Sequence, residues 1–159
     1  MQEIPAKLNE GSHAPDFAIR DRYGNVSKLS DLKGKKDIVV YFYPKDFTPG
    51  CTTQATEFSR DYQKFKDAGI EIVGVSPDDE ASHEKFRQDM GIPYPLVADT
   101  GNAVSKSYGV YGLKRFMGKE YLGVNRSTFL VDKSGRIIKI FSKVKPAGHS
   151  EEVYKILRS

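Results

Sequence analysis

Seven consecutive residues, Asp37-Ile-Val-Val-Tyr-Phe-Tyr43, are nearly all β-branched or aromatic after the first, as in a strand buried on both faces. Pro44 ends that run. From Pro49 to Ala68, apolar Ala55, Phe58, Tyr62, Phe65 and Ala68 recur every three or four residues, which predicts a helix with one apolar face, stopped by Gly69. A second strand is expected at Ile70 to Val75. It leads into Ser76-Pro77-Asp78-Asp79, where Ser76 suits a helix cap, Pro77 the first helical position and the two acids the first turn of a helix running to about Met90. Further along, the pattern predicts a short strand at Pro95 to Ala98, a short helix near Ala103 to Tyr108, strands at Ser127 to Val131 and Arg136 to Phe141 around the turn Asp132-Lys-Ser-Gly135, and a last helix at Glu151 to Arg158. Short strands at Asp16 to Ile19 and near Val26 read as an N-terminal β-hairpin extension. The order βαβα, then hairpin, then helix, argues for an α/β fold: a central mixed β-sheet flanked by helices on both faces, the outline of a thioredoxin-like fold.

The chain has 159 residues, and it reads as one domain over 1–159 with no internal repeat or linker. Its longest apolar run near the middle, Ile38 to Tyr43, is far short of the roughly 20 residues of a membrane-spanning helix. The polar stretch Met1 to Glu10 carries neither an apolar nor an Arg-rich targeting pattern, so the expected location is cytoplasmic, with no membrane partner. The net charge of +4 arises from 25 basic and 21 acidic residues. The clusters Lys33, Lys35, Lys36 and Lys139, Lys143, Lys145 do not interleave aromatics with basics in a single-strand-binding pattern; they read as solvated faces, and no nucleic-acid partner is expected. No metal-binding constellation or Gly-rich phosphate loop is present, so no cofactor, metal or nucleotide is implied.

Cysteine usage restricts the chemistry more sharply. Cys51 stands alone, which excludes an intramolecular disulfide, a CxxC redox pair and a thiolate-rich zinc site. With Thr48 as N-cap, Pro49 falls at N1 and Cys51 at N3, in the first turn where unpaired N–H groups and the helix dipole favour an anion. A free thiol is only about 3% ionised at pH 7. Making the thiolate the dominant form takes about 3.4 kcal/mol, whereas the dipole supplies about 0.3–1 kcal/mol and roughly 2 at best. A cation is therefore required, and since only Lys45 and Arg60 are local in sequence, it is expected from a distant strand. Taken singly, Cys51 also fits an inert small hydrophobe, Thr48 an ordinary cap and Pro49 an ordinary first-turn proline.

Pro44-x-x-x-Thr48-x-x-Cys51 resembles the active-site motif of peroxiredoxins, and Phe42-Tyr-Pro-Lys-Asp-Phe-Thr-Pro-Gly-Cys-Thr52 is similar to the subgroup called bacterioferritin comigratory protein or peroxiredoxin Q. The likeness extends through Gly11-x-x-Ala-Pro-Asp-Phe17, Tyr108-Gly-Val110, Arg126-Ser-Thr-Phe-Leu-Val-Asp132 and Gly148-His-Ser-Glu-Glu-Val153, over nearly the whole chain. The resemblance implies a thiol-dependent peroxidase acting on hydrogen peroxide and organic hydroperoxides in antioxidant defence. By it, Cys51 is the peroxidatic nucleophile, Thr48 turns its hydroxyl toward sulfur and peroxide, Pro44 shields the pocket, and Arg126 supplies the cation. Gln54 reads equally as a group orienting nearby backbone or as a solvated helical residue.

Many relatives carry a resolving cysteine five positions after the nucleophile, others in the following helix. Those positions are Thr56 and, approximately, Ser82 here, so the chain is either a natural one-cysteine peroxidase or one whose resolving cysteine has been substituted. The sulfenic acid then waits for an external thiol, from thioredoxin, glutaredoxin or a small molecule, or forms a transient intermolecular disulfide; the expected state is otherwise monomeric. A cysteine phosphatase needs arginine six residues after the nucleophile, where Glu57 stands. A cysteine hydrolase needs a histidine base, and His13, His83 and His149 all read as surface residues. A thioredoxin-like binding module with a redundant thiol is the remaining rival.

Overall fold

The computed structural model describes residues 8–158. The sequence reading of Met1 to Glu10 therefore falls largely outside the described residues. Strands β1 (Ala18–Arg20) and β2 (Val26–Lys28) form an antiparallel hairpin, followed by a 3-10 turn at Leu29–Leu32. The chain continues through β3 (Asp37–Phe42), α1 (Pro49–Asp67), β4 (Ile70–Ser76), α2 (Glu80–Met90), β5 (Leu96–Ala98) and α3 (Ala103–Ser107). It ends with β6 (Tyr111–Phe116), β7 (Lys119–Val124), β8 (Ser127–Val131), β9 (Ile137–Ser142) and α4 (His149–Arg158).

Five strands make the central sheet in the order β5-β4-β3-β8-β9. β3, β4 and β5 run parallel, whereas β8 pairs antiparallel with β3 and β9, so the sheet is mixed. Because side chains alternate along a strand, β3 sends Ile38, Val40 and Phe42 to one face and Val39 and Tyr41 to the other. The first face packs on Phe17, Ile19, Leu29, Tyr108 and Val110, contributed by the N-terminal hairpin, the 3-10 turn and the end of α3. The second is covered by α1, α2 and α4 through Ala55, Phe58, Phe65, Phe86 and Val153. Every side chain of β3 beyond Asp37 is buried, which is why its sequence is continuously apolar. Among the described residues no helix is long and apolar enough to cross a membrane.

Three sequence expectations are corrected. Ser76 does not cap α2: it is the last residue of β4, and its hydroxyl donates to Asp78 Oδ2. The cap is Asp79, whose Oδ1 accepts from Ser82 N at 2.8 Å, so the helix begins at Glu80. His83 and His149 are not surface residues; they are 1% and 3% exposed, with ring nitrogens bonded to Asp46 and the Val97 carbonyl, and to Glu152 and Thr128. Burial lowers the His149 pKa, against the opposing pull of Glu152 and Glu57. His13 is exposed, as expected.

Candidate active site

The end of β3 and the start of α1 are joined by a loop from Tyr43 to Thr48. Pro44 is half-buried in it and cannot donate to the sheet ladder, so the strand stops there. Thr48 has the extended backbone of an N-cap, and its carbonyl accepts the first helical bond from Thr52 N at 2.8 Å. Its hydroxyl does not cap the helix; it donates to Lys45 O at 2.8 Å, drawing the loop into a tight turn. The helix start is thereby left with N–H groups that its own cap does not satisfy, and Pro49 at N1 removes one donor from that set.

Cys51 sits two residues further, 1% exposed, between the helix and the sheet. The cation that the sequence required from a distant strand is adjacent: Arg126, immediately before β8, places Nη2 3.3 Å from the Cys51 sulfur. The same guanidinium donates from Nη1 to Gln54 Oε1. Gln54 is thus no solvated residue. It is buried one turn beyond Cys51, and it holds the planar guanidinium from the side while the sulfur accepts from the other nitrogen. Its own Nε2 is buried without a partner among the described residues. Gly50 gives the guanidinium room, since a β-carbon there would stand 2.9 Å from Arg126 Nη2.

A second cation was missed in the sequence. Lys114 on β6 is half-buried and donates from Nζ to Val124 O at 2.9 Å, two residues before Arg126. Burial and the charge of Arg126 lower its pKa, while the Cys51 sulfur pulls the other way. Only the fold brings β6 back beside the approach to β8, so no local pattern marked Lys114. The structure therefore joins Cys51, Arg126 and Gln54 by direct bonds. Thr48 and Pro44 are linked to them through the loop and the first helical turn, with no direct bond from the Thr48 hydroxyl to the sulfur. Thr56 is exposed on α1, and Ser82 on α2 donates to Asp46.

The chemistry available here is that of a buried sulfur nucleophile beside a fixed cation. At 3.3 Å, a sulfur anion and a guanidinium attract by about 5 kcal/mol at an effective dielectric constant of about 20. Arginine does not deprotonate, so the charge beside the sulfur is fixed.

Comparison with known proteins gives the same picture. The family model described as the AhpC/TSA family matches residues 11–140. Peroxiredoxin Bcp of Bacillus subtilis is 45% identical over 148 residues, covering 93% of this chain and 94% of that protein. The chloroplastic peroxiredoxin Q of Suaeda salsa is 42% identical over 159 residues, covering 98% of this chain and 71% of that protein. Among solved structures, a Xylella fastidiosa PrxQ mutant superposes with a TM-score of 0.88 at 32% identity, covering 96% and 97% of the two chains. The bacterioferritin comigratory protein of Xanthomonas campestris, studied for its alkyl peroxide reduction activity, superposes with a TM-score of 0.82 at 37% identity, covering 89% and 90%. With that coverage by both the family model and its relatives, the chain belongs to the AhpC/TSA family, among its Bcp and peroxiredoxin Q members.

Proposed function

We propose that this thiol-dependent peroxidase works through Cys51 as nucleophile, with Arg126, Thr48 and Pro44 around it. The observation that carries the reading is the Arg126 Nη2 contact with the Cys51 sulfur at the start of α1. The thiolate attacks the distal oxygen of a hydroperoxide; an S–O bond forms, the O–O bond breaks, and sulfur is oxidised by two electrons to the sulfenic acid. The leaving alkoxide or hydroxide takes a proton and departs as alcohol or water. Charge moves from sulfur to that oxygen, so donors beside the sulfur hold the attacking anion while donors beside the oxygen gain strength along the path. Arg126 holds the sulfur side. The Thr48 hydroxyl, whose proton is given to Lys45 O, keeps its lone pairs free to accept from the peroxide O–H. Pro44 presents a rigid wall that brings no donor to compete with them.

The substrates we assign are hydrogen peroxide and organic hydroperoxides, the latter supported by the alkyl peroxide reduction of the Xanthomonas relative. One cysteine in 159 residues makes the reductant external. A first donor thiol condenses with the sulfenic acid, releasing water and forming a mixed disulfide; a second thiol then frees Cys51. Thioredoxin, glutaredoxin with glutathione, and small thiols are the donor classes to compare, with the protein acting as a monomer. A reducing compartment such as the cytoplasm suits a thiol that must be regenerated after each turnover.

The test is mass spectrometry after one equivalent of peroxide without reductant, beside Cys51→Ser. A gain of one oxygen, or a Cys51-linked dimer, is expected in the parent chain, with no peroxide consumption in the variant. An unmodified monomer while peroxide disappears would refute the assignment.

A further inference from the structure

The loop that carries the chain into the active-site helix contains a residue in an unfavourable backbone state. Phe47 has φ of +67°, a left-handed conformation that a bulky side chain avoids. Its ring is about half exposed and meets Phe86 of α2 edge-on at 5.0 Å. Such a conformation persists only where the surroundings over-determine it, and those surroundings are polar and buried. Asp46, 2% exposed, accepts from the Tyr43 hydroxyl on Oδ1 at 2.7 Å and from the Ser82 hydroxyl on Oδ2 at 2.8 Å. Its N–H donates to Asp78 Oδ2 at 2.8 Å, an oxygen that also accepts from the Ser76 hydroxyl. Its Oδ2 lies 2.8 Å from His83 Nδ1, and His83 Nε2 lies 3.0 Å from Val97 O.

Hydrogen positions follow from what each partner can do. A carbonyl only accepts, so Nε2 carries a hydrogen toward Val97. With that tautomer set, one further proton lies between Nδ1 and Asp46 Oδ2, in a place water does not reach. We propose that this Asp46–His83 pair is a positioning element of the peroxidase: while it holds its proton it clamps the Tyr43–Thr48 loop to α2, and so fixes the first turn of α1 around Cys51. The inference rests on Cys51 being the nucleophile. Neither residue touches the sulfur; both act through the loop.

The clamp is proton-dependent because the alternative is costly. Removing the proton sets the Nδ1 lone pair against a buried carboxylate, or turns the other tautomer's lone pair on the Val97 carbonyl. The titratable groups facing His83 are Asp46 from the loop, Asp78 from the β4–α2 connection and Tyr43 from the end of β3, while β5 contributes only the Val97 carbonyl. Burial pulls the His83 pKa down, but the hydrogen bond and charge of Asp46, the Val97 carbonyl and Asp78 together raise it above the ordinary value. The clamp is therefore complete below the ordinary histidine pKa of about 6.5, and it is lost as pH rises through the raised value in the folded protein.

The experiment follows oxidation of Cys51 by hydrogen peroxide in rapid-quench mass spectrometry from pH 6 to 10, since the chain has no tryptophan to report it. The parent protein, His83→Asn, His83→Leu and Cys51→Ser are compared, with thermal unfolding of each. Asparagine keeps an N–H near the Nδ1 position but does not titrate. The parent rate should fall on an alkaline limb that His83→Asn lacks, while the Asn variant keeps a near-parental rate at neutral pH. His83→Leu, folded, should be slower on the order of ten- to a hundredfold; should leucine prevent folding, the asparagine profile decides alone. An alkaline limb retained in His83→Asn, its absence from the parent, or a parental rate in folded His83→Leu overturns the positioning role. Peroxide turnover in Cys51→Ser overturns the nucleophile and this inference with it, whereas an inactive Cys51→Ser beside unaltered His83 variants removes the inference alone.

Discussion

Gly50→Ala separates the cation from the fold. Gly50 lies in the first turn of α1, and its φ is not positive, so alanine suits the backbone and favours the helix by up to about 1 kcal/mol. The added methyl would, however, stand 2.9 Å from Arg126 Nη2, 3.4 Å from Cζ and 3.3 Å from Pro146 Cγ. Ordinary carbon contacts need about 3.5–4.0 Å, so the guanidinium must retreat by roughly 0.7 Å. Moving Nη2 from 3.3 Å to about 4 Å from the sulfur lowers their attraction by about 0.9 kcal/mol at an effective dielectric constant of about 20. It also breaks a charge-assisted hydrogen bond of about 1.5–3 kcal/mol. Together, about 2–4 kcal/mol is lost from the reacting centre, a slowing on the order of thirty- to a thousandfold. Stopped-flow peroxide consumption and thermal unfolding, measured on one preparation, should show a slow enzyme with an unchanged or raised Tm. A parental rate in folded Gly50→Ala would refute the tight placement of Arg126, and a rate loss that merely tracks lost stability would refute its separation from the fold.

Arg126→Lys keeps a charge but cannot bond Gln54 Oε1 and the sulfur from one rigid plane, so peroxide rates should fall about a hundredfold or more with the fold intact by circular dichroism. Thr48→Val removes the hydroxyl at nearly constant volume and should also slow turnover, Thr48→Ser less so; parental peroxide kinetics in both Arg126→Lys and Thr48→Val would remove these residues from the site. With no second thiol in the chain, a dimedone-type reagent should label the sulfenate after one equivalent of peroxide, and excess peroxide should carry it to the sulfinic state. Thr56→Cys should protect against that over-oxidation only with unwinding of α1, because five helical residues rise about 7.5 Å and a disulfide spans Cα atoms roughly 4.4–6.8 Å apart; hydrogen exchange in the first turns of α1 reports whether they open.

Much of the scaffold was legible because its signals are local. The run at Asp37–Phe42, the apolar spacing in α1 and the turn at Asp132 each depend on neighbours in sequence, and each element appears within a residue or two of its expected bounds. The β6–β7 hairpin escaped because it pairs only with itself: Leu113, Tyr121 and Leu122 are exposed, and Gly112 and Gly123 interrupt the alternation that marks a half-buried strand. Ser76 misled for a related reason. It has the chemistry of a cap, but Asp78 engages its hydroxyl and Asp79 lies closer to the helix. At the site, the dipole arithmetic called for a cation without locating it; the family motif pointed to Arg126, and folding across 75 residues brings it to Cys51. His83 and Gln54 were misjudged because what makes them special is a partner far away in the chain, Asp46 at 37 residues for His83 and Arg126 at 72 for Gln54, whereas Lys114 was missed with the hairpin that carries it.

The burial of Cys51 bears on how the cycle can be completed. A hydroperoxide reacts through its small distal oxygen, whereas an external donor must bring its sulfur into line with the S–O bond of the sulfenic acid, and Cys51 is only 1% exposed. The turn that buries the Cys51 sulfur therefore obstructs the second half-reaction of the proposed cycle. Thr48 contributes no side-chain cap and Pro49 no N–H; beside the helical bond from Thr52 N and the Thr53 hydroxyl bond to Pro49 O, the turn is held by Arg126 at Cys51 and its loop is anchored through Asp46. On the proposed mechanism, conversion of the sulfur anion to neutral sulfenic acid weakens its bond to Arg126 when a donor must enter. On the proposed cycle, over-oxidation by excess peroxide is then a contest between donor capture and a second attack at Cys51.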